Sequence, residues 1–186
     1  MFPLKIKTKG TEKGFAAIEM TLIAPLFMLL IVAAVDITHL IQANHIIISI
    51  SREGGNIISR SNTDPPQEVM DIIATTSGTL DLTQDGVIYI TEVVGQEDAF
   101  PYVKSQYRWN QYGLARNSNI WSSCSNWEVD GECSDIDADD PPLINNLTLA
   151  LDDGEIVYSV EVFYDYSPIF SRIFDDEYIL SDTTYM

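Results

Sequence analysis

Basic residues, histidines and cysteines are scarce in this chain. Ten Lys and Arg stand against 28 Asp and Glu, and with only two His the formal net charge is −18. A surface of that sign repels phosphate backbones and anionic headgroups, which argues against nucleic-acid binding and phosphate recognition by charge. Two cysteines, Cys124 and Cys133, with no His nearby in sequence, are too few ligands for a zinc site. His39 and His45 are six residues apart in one helical stretch and do not share a face. No Gly-x-Ser-x-Gly, phosphate loop or paired-His metalloprotease motif occurs. The sequence therefore reads as that of a nonenzyme. It has no internal repeat.

What the chain does hold is one long apolar run. Phe15–Val35 is almost wholly apolar, with a single carboxylate, Glu19, near its start. As a helix of 1.5 Å rise per residue it is about 31 Å long, the thickness of a bilayer's hydrocarbon core. An acid at mid-membrane costs about 2.5–3.5 kcal/mol, so an intramembrane carboxylate calls for a partner. Before the run, Lys5, Lys7, Lys9 and Lys13 against Glu12 give the first 14 residues a charge of +3. That positive flank holds the N-terminus in the cytoplasm and directs the acidic remainder outward. Removing a +3 segment from a chain of −18 leaves −21. Two plainer readings stand beside a membrane-retained helix. One is a secretory signal peptide cut near Val32-Ala33-Ala34, although Asp36 and a helical pattern follow directly; the other is an ordinary single span with a chance Glu.

Gly14, Phe15 and Glu19 together satisfy three positional demands. A cut between Gly14 and Phe15 makes Glu19 the fifth residue, one helical turn from a new α-amino group. This pattern resembles the class III signal of type IV pilins and pseudopilins, and GFAAIEMTLIAPLF is similar to the TadE-like minor pilins of tight-adherence (Flp/Tad) pili. Downstream, ISREGGNIISR resembles the Arg-Glu-Gly-rich motif that follows the membrane helix in that family. The likeness covers about residues 13–60. It implies a pilin-like α+β fold, a long N-terminal helix packed on an antiparallel β-sheet. It also implies a prepilin peptidase that cuts before Phe15, a registry role for Glu19 in the filament, and major pilin, minor pilins and an inner-membrane assembly platform as partners. The implied place is the inner membrane, then a pilus, in assembly or tip adhesion. The alternative is a membrane-anchored extracytoplasmic binding module that never enters a filament. Membrane lipid is a partner of the helix under either reading.

The segments divide as leader 1–14, transmembrane helix 15–35, its periplasmic continuation 36–62, and an α+β domain over 63–186. Pro25 lies inside the apolar helix, where it removes a backbone hydrogen bond and is expected to kink or loosen it. Past Val35 a helical stripe continues through Ile37, Leu40, Ile41, Ile47 and Ile48, and Gly54-Gly55 is expected to bend or fray the end. Asp36 and His39 form a polar pair at the membrane edge. A second helix is predicted with Asp64 as N-cap, Pro65 at its first position, Gln67 as reciprocal cap, and Val69, Ile72 and Ile73 on its apolar face.

Strands follow at Gly86–Val94, at 103–109 with Val103, Ser105, Tyr107 and Trp109 on one face, at 156–166, and at Tyr178–Tyr185. Between them, 113–146 is an irregular excursion holding both cysteines, Trp121 and Trp127. In an oxidising compartment Cys124 and Cys133 pair by default, and closing so short a loop stabilises by about 2–3 kcal/mol. Asp135, Asp137 and Asp139 resemble the first half of an EF-hand calcium loop. The run departs from it where Asp140 replaces the turn Gly and Asn146 the bidentate Glu, and a solvated acidic loop is the alternative. No other cofactor is expected.

Overall fold

The computed structural model describes residues 12–60, 64–147, 149–168 and 178–186. Helix α1, Glu12–Arg60, is 49 residues long and passes through Pro25 and Gly54-Gly55 without a break. At 1.5 Å per residue it extends for about 73 Å, more than twice a bilayer core. Two short helices follow, α2 (Pro66–Thr75) and α3 (Leu82–Asp85), then strands β1 (Gly86–Val94), β2 (Tyr102–Arg108), β3 (Ile156–Tyr166) and β4 (Tyr178–Tyr185). The strands form one antiparallel sheet in the order β2-β1-β3-β4. The expected α+β architecture is what the chain adopts.

The face of α1 that meets the domain is a narrow stripe. Asp36, Ala43, Ile47, Ile50, Gly54 and Ile58 are buried, with Leu40 half-buried, so contacts recur at steps of three and four. Ile37 and Ile41, assigned to the stripe from sequence, lie off it and are 57% and 53% exposed. The stripe packs on Ile88 and Ile90 of β1 and Val160 and Val162 of β3, joined by Val69, Met70 and Ile73 of α2. Gly54 and Gly55 do not fray the helix. A Cβ on Gly54 would stand 2.9 Å from Ile73 Cδ1 and 3.1 Å from Val160 Cγ1, and one on Gly55 2.9 Å from Met186 Cγ. The glycines let the helix backbone approach the sheet where a larger side chain would hold it off.

Two local expectations are corrected. Helix α2 begins at Pro66, with Pro65 as N-cap and no side-chain cap hydrogen bond. Gln67 instead donates to the Arg108 carbonyl at 2.7 Å and accepts from the Asn110 N–H at 3.1 Å, because the helix start lies against the end of β2. Met70 takes the core place assigned to Ile72, which is exposed. In β2 the register against β1 shifts between Glu92 and Val93, leaving Lys104 as an extra residue. This inverts the alternation. Tyr107 and Trp109 pack toward α1, whereas Val103 joins Val93 on the opposite face, where Gln106 is also fully buried.

That opposite face is covered by the excursion. Its backbone continues the sheet at the outer edge of β2, with Cys133 N–H donating to the Gln106 carbonyl at 2.8 Å and Arg108 N–H to the Gly131 carbonyl at 2.9 Å. Ile120 and Ile144 pack on Val93 and Val103, and Trp127 on Val87, Tyr89 and Phe163. Strand β3 therefore has core on both sides.

Candidate functional site

The chemistry of this chain is concentrated on α1 and on what grips it. From Ala17 to Ile31 every side chain of the helix is exposed, and Leu22, Met28 and Leu30 are among its many bare apolar residues. An isolated apolar helix of this length is not stable in water, so this half is built for lipid or for other helices. The helix from Ala17 onward is long and apolar enough to cross a membrane. Glu19 stands on that exposed surface, four residues after Phe15 and about 6 Å further along the axis. Thr21 satisfies its own hydroxyl by donating to the Ala17 carbonyl at 2.6 Å, as polar side chains in apolar helices do.

The distal half of α1 is held by a polar clasp as well as by packing. Ser51, fully buried, donates its hydroxyl to the Asp182 carboxylate of β4 and lies 2.7 Å from Thr184 Oγ1. Charge-assisted hydrogen bonds of this kind fix register more strictly than apolar contact. The clasp lies one turn from Gly55, so side chain and backbone contacts set the height of β4 on α1 together. Asp36, 7% exposed, lies lower on the same stripe, near Tyr166 and Tyr178, while His39 is exposed.

The excursion is locked by three devices. Cys124 and Cys133 form a disulfide with their Cα atoms 6.0 Å apart. Glu161 of β3, fully buried, accepts from the Ser118 hydroxyl and from the Asn119 N–H at 2.9 Å. Burial pushes the Glu161 carboxyl up, opposed by those hydrogen bonds and by the Arg116 charge. Arg108 is sandwiched, its guanidinium 4.2 Å from the Tyr112 ring centre and 4.5 Å from that of Trp127. Beside it burial raises the Tyr89 phenol to about 12, so its hydroxyl stays protonated and donates to the Arg116 carbonyl at 2.6 Å.

The acidic run is tied into the excursion by its own hydrogen bonds. Asp135 accepts from the backbone N–H groups of Ser125 and Asn126 at 2.6 and 3.0 Å and from both their side chains. These bonds hold its carboxyl well below the usual carboxylate range. Asp137 accepts from the Asp139 N–H at 2.9 Å in a local turn. Among the described residues, the group of acid, His and Cys atoms within 4.8 Å of one another is Cys124, Cys133 and Asp135, and its two sulfurs are joined to each other. Asp137 and Asp139 stand outside it.

Sequence reading singled out Cys124 and Cys133, which are bonded as expected, but missed Ser51, Glu161 and the contact role of Gly54-Gly55. Glu161 occupies the polar phase of a strand that alternates cleanly, and only the excursion folding over it turns that phase inward. No curated protein and no solved structure matches this chain. Residues 14–56, most of α1, match the family model described as TadE-like protein. The match covers the bare apolar half of α1, Glu19, Pro25, Ser51 and Gly54-Gly55 alike, so over that segment the chain is similar to TadE-like proteins.

Proposed function

We propose that this chain is a minor pilin of a Tad-type pilus, made as an inner-membrane precursor and processed between Gly14 and Phe15. The observation that carries the reading is the division of α1 within the matched segment. Its first half offers apolar side chains to its surroundings, and its second half is clasped to a folded domain. A helix so divided serves twice, as an anchor in lipid and as a packing element among neighbouring helices in a filament. Glu19 then gains the Phe15 amine as counter-charge, on the same subunit or the next, and a buried pair between subunits sets the depth of entry. Prepilin peptidase, the major and other minor pilins and the assembly platform are the partners of this reading, and the acidic domain faces the periplasm before assembly.

The test is the mature N-terminus. Coexpressed with its cognate prepilin peptidase, the protein begins at Phe15 by N-terminal sequencing or intact mass. An N-terminus near Ala34, or an uncut chain beside an active peptidase, overturns the reading.

A further inference from the structure

We infer that the folded domain rests on the bilayer, with the end of its sheet that carries Tyr166, Pro168 and Tyr178 seated in the phospholipid headgroup layer. The inference rests on reading Phe15–Val35 as a membrane span, and it adds a second lipid-contacting surface, on the domain itself.

Tyr178 lies beside Leu40, Ile41 and Asn44, Asp182 and Thr184 meet Ser51, and Met186 approaches Gly55. Strand β4 therefore climbs α1 in the same direction as the helix, and antiparallel β3 descends beside it to end at Tyr166. The strands stand upright along α1, with one end of the sheet toward the apolar half of the helix. At about 3.3 Å per residue, Ile156 at the other end of β3 is about 33 Å away from Tyr166.

The height of that lower end is set by α1. A groove there is lined by Ala33, Ile37 and Leu40 on the helix and by Tyr166, Pro168 and Tyr178 on the domain. If the hydrocarbon core ends at Val35, the headgroup layer of about 5–7 Å covers the next four or five residues of helix. The groove falls at that level. No spacer separates the membrane exit from the domain, because Asp36, one residue past the span, is already buried against it.

The chemistry suits the place. Tyrosine is favoured at the membrane interface, where its ring meets the acyl boundary and its hydroxyl reaches water. Tyr178 is 45% exposed, and Ile37 and Ile41 beside it are exposed apolar side chains. Bilayer contact covers them and fixes the domain upright over its anchor.

The experiment uses the full chain in phosphatidylcholine nanodiscs, with single cysteines carrying the fluorophore NBD and spin-labelled lipids as quenchers. Cys124 and Cys133 are bonded to each other and do not take the label. Tyr178→Cys tests the seat, Ile37→Cys marks the headgroup level on the helix, Leu22→Cys reports the span, and Ala99→Cys reports the far end of the domain. A headgroup or shallow-chain spin label is expected to quench positions 178 and 37 by roughly half or more, consistent with a seat at the interface. Position 99 is unaffected, and position 22 responds best to a deep-chain label. If 22 and 37 are quenched while 178 matches 99, the domain stands clear of lipid, by itself or covered by a neighbouring subunit, and the inference fails with the span intact. If 22 is not quenched, the span reading fails and this inference with it. Should Tyr178→Cys not fold, Pro168→Cys, on the domain side of the same groove, decides in its place.

Discussion

Glu161 and Ser118 lie 43 residues apart in sequence and meet in the protein interior, the carboxylate accepting the hydroxyl where the excursion crosses β3. The same carboxylate takes the Asn119 N–H, so one buried acid ties a segment without regular structure to the centre of the sheet. Truncating it strands both donors in a dry site, at about 1–3 kcal/mol for each unpaired group.

Glu161→Ala is therefore expected to lower stability by several kcal/mol, while Glu161→Gln keeps an acceptor and folds. The two also differ in pH response. Because burial raises the folded pKa above its ordinary value, the folded state holds this proton more tightly than the unfolded one. The group's contribution is then full below the ordinary glutamate range and is lost as pH rises through the raised folded value. Urea unfolding of the detergent-solubilised chain across that window checks the sign. Glu161→Gln lacks this loss, and identical slopes in the two proteins refute the assignment.

Gly54 sits where α1, α2 and β3 converge. A methyl group there gains about 1 kcal/mol of helix propensity and must displace Ile73 Cδ1, the tip of a side chain, so Gly54→Ala is close to neutral. Gly54→Val adds branched volume against Val160 as well and is expected to cost about 2 kcal/mol or more. Parallel melting curves for the two variants separate crowding from helix preference, and equal stability for Ala and Val excludes close approach as the glycine's role.

The disulfide closes a loop of sequence separation 9. Replacing both cysteines with Ser is expected to destabilise by about 2–3 kcal/mol. Amide exchange should rise first at Ser125 and Asn126, whose N–H groups are held by Asp135 in the same loop. Hydrogen exchange read by mass spectrometry tests this locally, and unchanged protection over 124–135 shows that Asp135 holds the loop without the bridge.

Glu19→Ala removes an acid from an exposed apolar helix surface without touching the folded domain. Membrane insertion is expected to be unchanged or better by about a kcal/mol or so. Incorporation into purified pili falls if Glu19 pairs with a neighbour's Phe15 amine. Wild-type incorporation of the variant removes the registry role from the proposed function.

The sequence by itself determined the parts of this protein that depend on local period and composition. A run of apolar residues as long as a bilayer is thick, a β-branched alternation and a lone cysteine pair each carry their meaning within a short window. So α1, the positions of all four strands and the disulfide were legible before any fold was known. Tertiary structure alone decided which faces are inside. An extra residue at Lys104 turned Gln106 inward, a covering excursion buried Glu161, and the approach of β4 made Ser51 a clasp and Gly54-Gly55 a contact. Each of these depends on a partner distant in the chain, and burial of a polar group is set by what arrives over it rather than by its neighbours in sequence.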